Sequence, residues 1–241
     1  MASAPTPIHI WMFCGYAGSG KTHAARHLQS LLNPATTFVI AFADAVKDDV
    51  AAMYQIPRTL FDTQEGKASL VKTPDGKRKA RDLLIDYSLA MKEAYGDAVW
   101  AEEVVRRIRS VVERRRIEHI IIHDLRFTAE VDTMYTEFSP SQDFVPSVSN
   151  YKHIPSGCAE LETEGNAVVV QCKHTLKGCA YNWHSTVLHT IRIVRPSVAS
   201  LPIPSEHDLD DYVADTTIEN GGTVDELHAK INQLLTNYFA K

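Results

Sequence analysis

The sequence predicts an α/β fold built around one loop, and three observations carry that prediction. The first is Gly15-Tyr16-Ala17-Gly18-Ser19-Gly20-Lys21-Thr22, which fits G-x-x-x-x-G-K-[ST]. The second is its context. The apolar run Ile8-His9-Ile10-Trp11-Met12-Phe13-Cys14 reads as a buried strand, and beyond the loop Ala24, Ala25, Leu28, Leu31 and Leu32 recur at helical spacing until Asn33-Pro34. The third is a later apolar run, Ile117-Glu118-His119-Ile120-Ile121-Ile122-His123-Asp124, which reads as a buried strand closing on an acid.

The loop explains its own residue types. Backbone N–H groups of a tight turn, joined to the positive end of a helix dipole, make a concave seat for a di- or triphosphate. Gly15, Gly18, Ser19, Gly20, Lys21 and Thr22 are therefore the candidate ATP-binding set. Lys21 can offset charge on the β- and γ-phosphates, and the Thr22 hydroxyl is placed to coordinate Mg²⁺. An acid at the end of a strand downstream of such a loop holds the same ion, often through water, which makes Asp124 the second metal candidate.

A chain of 241 residues, 44% hydrophobic and 23% charged, suits one α/β domain over 1–241 with a probable insertion at 139–186. A formal charge of −5 argues against a nucleic-acid coat and leaves small anionic ligands open. Four cysteines do not form a secreted disulfide framework, so a reducing, cytoplasmic setting is expected. The first seven residues carry no signal-peptide pattern and no run approaches transmembrane length, so no membrane role is expected.

Thr36 to Ala43 is β-branched and aromatic, and predicts a strand delivering Asp44 to its carboxyl end, where ligands of open parallel sheets sit. Ala45 to Tyr54 is helical, with Lys47 about one turn beyond Asp44; an N-cap aspartate and a solvated lysine are the other reading. Phe61 to Lys79 is polar, with a turn at Thr73-Pro74-Asp75-Gly76 in a mobile loop. The basic run Lys77 to Arg81 opens a helix to about Tyr95, and Asp97 caps another that runs to Arg116. Arg81 could bind a second phosphate or pair with Asp82 or Asp86, and Trp100 could stack on a base or fill the core. The arginines from Arg106 to Arg116 are expected in water.

Arg126, two residues past Asp124, belongs to the same rim, and a helix follows from Thr128 to Phe138. The pattern then breaks until about His184, with an apolar run at Ala167-Val168-Val169-Val170 suggesting a β-hairpin or lid. Cys158, Cys172, His174, Cys179 and His184 lie there without a C-x-x-C pair, so unligated side chains are expected rather than zinc. Thr186 to Val194 and Asp211 to Ile218 hold two more strands, Asn220-Gly221-Gly222 a turn, and Thr223 caps a final amphipathic helix.

Taken together, the P-loop, Phe42-Ala43-Asp44-Ala45-Val46-Lys47, Arg81-Asp82-Leu83-Leu84, Tyr95-Gly96-Asp97 with Trp100, Asp124-Leu125-Arg126-Phe127, Ser205-Glu206 and Ile218-Glu219-Asn220-Gly221 resemble the deoxynucleoside monophosphate kinases of bacteriophages and large DNA viruses. The likeness spans about residues 8–138 and 187–236. It implies a nucleoside monophosphate kinase-like three-layer fold with five parallel strands, ATP and Mg²⁺ as cofactors, small-molecule nucleotide substrates, a possible homodimer, and the cytoplasm of a host if the source is viral. It further implies that Asp44, Lys47, Arg81, Trp100 and Arg126 line the acceptor site, that Lys21, Arg126 and Asp44 serve transfer, that Arg195 belongs to the lid, and that Asn220 lies near adenine. Phosphomevalonate kinase shows a related pattern, and a nucleotide-dependent binding module would use the loop without an acceptor pocket.

Overall fold

The computed structural model of the chain describes residues 7–139, 159–164, 167–172 and 186–240. Strand β1 (Ile8–Cys14) is buried along its whole length and feeds the glycine loop, after which α1 (Lys21–Leu31) begins. Then follow β2 (Thr37–Ile40), α2 (Phe42–Tyr54), a 3₁₀ turn at Arg58–Asp62, α3 (Gln64–Ala68) and the antiparallel pair β3 (Leu70–Thr73) and β4 (Gly76–Lys79). Next come α4 (Ala80–Tyr95), α5 (Val99–Arg114), β5 (His119–Ile122) and α6 (Thr128–Phe138). The backbone of β6 (Ala159–Glu164) pairs antiparallel with β7 (Ala167–Cys172), and β8 (Thr186–Val194), α7 (Pro204–His207), β9 (Thr216–Glu219) and α8 (Val224–Phe239) complete the chain.

Five strands form one parallel sheet in the order β2-β5-β1-β8-β9. Alternation along β1 divides the core in two, as period-two geometry requires of a strand buried on both faces. Ile8, Ile10, Met12 and Cys14 pack with α5, α6 and β5, whereas Trp11 and Phe13 pack with α1 and α8. A third cluster joins α2, Phe61, Val71, Leu83 and Trp100 beside the sheet. The chain reaches β2 and β5 on one side of β1 and β8 and β9 on the other, so the loop after β1 opens at the switch in strand order, where open α/β sheets hold ligands.

Several sequence expectations change here. β2 stops at Ile40, and Asp44 lies in the first turn of α2 instead of at a strand end. The helix can start so early because the Asp124 carboxylate accepts from the N–H groups of Phe42 (2.9 Å) and Ala43 (3.0 Å), while Asp44 accepts from Ala41 N–H (2.9 Å). The polar stretch expected to be one mobile loop contains α3 and the β3–β4 hairpin, whose turn falls where Thr73-Pro74-Asp75-Gly76 placed it. Lys77 to Lys79 therefore belong to β4, not to the helix. Asp97 is not a cap, since Gly96 turns the chain at φ 99° and α5 starts after Ala98. Arg107 is not simply solvated: it bonds Asp48 and Glu103, each at 2.7 Å, and Arg109 pairs with Glu137. The five Cys and His positions of the zinc reading lie outside the residues whose side chains are described.

Candidate active site

The loop is held open by glycines and tied down by an amide. Gly15 has φ 130°, and a β-carbon there would stand 2.3 Å from the Ile193 carbonyl oxygen; at Gly20, φ 104°, it would stand 2.5 Å from Asn220 Nδ2. Only glycine fits either position. The Asn220 amide donates to Ser19 O at 2.8 Å, which makes Asn220 a support of the loop itself. This support comes from the end of β9, 201 residues away in sequence.

Four features show that the loop suits a phosphate chain. Its α1 terminus has no side-chain cap, leaving N–H groups for a ligand. Ser19 Oγ is buried and has no hydrogen-bond partner among the described residues. Lys21 is buried, and its ammonium donates to Gly15 O (2.6 Å) and Tyr16 O (2.7 Å), carbonyls of the loop itself. Desolvation chiefly, and then the Arg126 charge, push its pKa down to about 8 against the opposing pull of Glu206, Cys14 and Asp124. Finally, a carboxylate is seated on the loop: Ala17 N–H donates to Glu206 Oε2 at 2.8 Å.

Glu206 joins the two halves of the site. Its other oxygen lies 3.2 Å from Arg126 Nη1, and its side chain is 1% exposed. Arg126 in turn stands where α6 begins, its N–H and that of Phe127 donating to the buried Glu130 carboxylate at 2.7 and 3.0 Å. The segment around Glu206 is pinned just downstream: Thr128 N–H donates to Asp208 (2.5 Å), Tyr16 hydroxyl to Asp210 (2.9 Å), and Arg192 to the carbonyls of Leu209 and Tyr212 (2.6 Å each).

A second cationic group faces this rim. Burial lowers the Lys67 pKa, and the like charges of Lys47, Arg81 and Arg126 lower it further, with Asp62 opposing, so four cations share one field. The Lys67 N–H donates to Thr63 O at 3.1 Å, and its ammonium makes no hydrogen bond or ion pair with any described residue. Arg81 is exposed and donates to Gln64 Oε1 at 2.7 Å; Asp86 is taken by Arg78 instead. Lys47 lies 3.4 Å from Asp62 and 3.8 Å from Asp44, and Arg58 bridges Asp44 (2.7 Å), Asp48 (2.8 Å) and Asp62 (2.7 Å). Asp44 is thus committed to Ala41, Arg58 and Lys47, a placement that orients cations rather than abstracting a proton.

Two expected residues also carry structural roles. Trp100 is 5% exposed, packed with Val46, Phe61 and Leu83, and donates to Ser88 O at 3.4 Å; in this arrangement no ring face is open to a base. Asp124, read as a metal ligand, uses one bond on each oxygen to cap α2, and a remaining lone pair on each is what a hydrated Mg²⁺ would meet. Thr22 is exposed at the loop mouth, and Arg195, also exposed, lines a cavity of about 270 Å³ with Gly15, Tyr16, Ser19, Pro196 and Val198. No group of three or more His, Cys, Asp or Glu side chains among the described residues has metal-binding geometry. No helix among the described residues is long and apolar enough to cross a membrane.

Sequence reasoning missed Lys67 and Arg58 as site residues and gave Glu206 no role. Lys67 lay in a stretch without periodicity, and Arg58 in one that ended a helix. For Glu206 the signals were its acidity and its place in the Ser205-Glu206 match, in a loop 189 residues from Ala17, and neither assigned it a role.

No protein-family model matches the chain, and no curated protein does. Among solved structures, an APS kinase of Mycobacterium tuberculosis aligns over 96% of this chain and 99% of its own at 11% identity, with a TM-score of 0.37. A shikimate kinase from Acinetobacter baumannii in complex with shikimate aligns over 98% of this chain and 97% of its own at 12% identity, with a TM-score of 0.39. Scores this low carry no weight for the site, which rests on its own geometry.

Proposed function

We propose that the chain is a small-molecule kinase that transfers the γ-phosphoryl group of Mg·ATP to a deoxynucleoside 5′-monophosphate, giving the diphosphate and ADP. The observation that carries this reading is the loop with Lys21 joined through Glu206 to Arg126, with Lys47, Arg81 and Arg126 close enough for their charges to act on Lys67; we read these cations as a second anion seat. A binding module that only holds nucleotide has no use for the second seat.

In this reading an acceptor phosphate oxygen attacks the γ-phosphorus as the bond to the β-bridging oxygen breaks. A monophosphate is already nucleophilic at neutral pH, so positioning and charge neutralisation dominate and no strong base is needed. Lys21 and the loop N–H groups hold the transferred group, Arg126 spans both seats, and Arg81 and Lys67 grip the acceptor phosphate. Thr22 and Asp124 would hold Mg²⁺, which when bound neutralises charge on the phosphate oxygens. The cavity beside Arg195 and Val198 would take the adenine end.

A second acceptor class stays in play because Trp100 is buried and offers a base no platform. Phosphomevalonate would use the same cations without stacking. ADP release should be measured with each of the four deoxynucleoside monophosphates and with phosphomevalonate, on wild type and on Arg81→Lys. The proposal expects turnover with at least one nucleotide. It also expects the acceptor kcat/KM of Arg81→Lys to fall by about tenfold or more while the KM for ATP holds, because lysine lacks the bidentate fork. No turnover with any nucleotide sinks the acceptor assignment.

A further inference from the structure

Resting on the kinase reading above, we propose that the Glu206 carboxylate is a resident occupant of the seat that the transferred phosphoryl group takes, so that binding ATP exchanges one anion for another on Ala17 N–H and Arg126. Glu206 is thereby a positioning residue: it holds Arg126 against the loop and hands it to the phosphoryl group.

Two observations carry this. One carboxylate is shared by a P-loop N–H at 2.8 Å and a guanidinium at 3.2 Å, the two donor types that recognise a phosphoryl oxygen, and it is 1% exposed while doing so. The rest of the phosphate machinery is turned inward, with Lys21 donating to loop carbonyls and Ser19 Oγ without a partner among the described residues.

A carboxylate and a phosphoryl group cannot share this seat, since two anions in contact at a site poor in water repel strongly. Removing the glutamate charge should therefore favour any ligand bearing a β- or γ-phosphate. Isothermal titration of the full chain with Mg·ATP, with inorganic pyrophosphate and with AMP tests this on wild type, Glu206→Gln and Glu206→Asp. The expected result is that Glu206→Gln binds ATP and pyrophosphate about tenfold or more tightly than wild type, that AMP is unaffected, and that Glu206→Asp, which keeps the charge but withdraws it by one methylene, falls between. Circular dichroism and thermal melts confirm folding, and if Glu206→Gln does not fold, Glu206→Asp decides alone. ATP and pyrophosphate affinities that are unchanged or weaker in a folded variant overturn the proposal. Tightened ATP binding without turnover on any acceptor leaves it standing and removes only the acceptor assignment, whereas a wild type and variants that all fail to bind either polyphosphate remove both.

Discussion

At the scale of single residues, the chemistry turns on a buried lysine. Burial and the nearby Arg126 push Lys21 down to about 8, so its charge is present below that pH and lost above it. A bound polyphosphate would restore the charge, which means affinity is linked to protonation. The Kd for ATP or pyrophosphate should therefore rise as pH climbs through about 8. The ligand is not the cause of that limb, because phosphate groups with a second pKa of about 6 are already ionised there. In Lys21→Ala, binding should be weaker throughout and the limb gone; a limb that persists in the variant would assign it to another group. Lys21 was legible because fixed spacing in one short segment encodes its whole role. Glu206 and Lys67 were not, because each gains its role only when a distant segment is folded beside it, and no local pattern records that meeting.

Among the elements, α2 shows how a strand end and a helix start can be confused. Thr36 to Ala43 is β-branched and aromatic, which favours a strand, yet Phe42 is buried inside α2. The deciding term is the pair of bonds from Phe42 and Ala43 N–H to Asp124, an acid delivered by the end of β5. Asp124 is thus readable in sequence as an acid at the rim, whereas its task of starting a helix from another part of the chain is not. Loss of a side-chain cap costs about 1–2 kcal/mol, so Asp124→Ala should lower unfolding stability by that order as well as impair turnover. Asp124→Asn keeps an acceptor and should be less destabilising. Urea unfolding of the two variants checks this, and an Asp124→Ala protein as stable as wild type would show that the cap contributes nothing. Excess Mg²⁺ should recover part of the turnover of Asp124→Asn and none of the stability lost in Asp124→Ala, which separates the two roles of one carboxylate.

Across the whole molecule, the five-stranded parallel sheet and its helical layers follow from apolar runs that are visible in sequence, but the polar groups buried between them do not. His9, His119 and His189 stand on the adjacent strands β1, β5 and β8, beneath the end of α8. The ring of His9 lies 5.5 Å from that of His119 and 5.7 Å from that of His189, and Trp11 stacks on His189 at 4.1 Å. The Tyr238 hydroxyl and His9 Nδ1 share a hydrogen bond at 2.8 Å, and the buried His189 Nε2 has no partner among the described residues. Burial, reinforced by the neighbouring imidazoles, pushes His9 and His189 down to about 4, and burial also lowers His119; Glu118 beside His9 and His119, and Asp215 beside His189, pull the other way. An unfolded histidine takes a proton near its ordinary value of about 6.5, whereas the folded sheet refuses it until about 4. Between those values the unfolded chain binds more protons, so stability falls as pH falls. Chemical unfolding followed from pH 7.5 down to pH 4.5 should show that acid slope. His189→Phe, which keeps the stack on Trp11 and removes an unpartnered buried nitrogen, should flatten it while preserving stability at neutral pH. Equal slopes in the two proteins would place the acid sensitivity elsewhere in the fold.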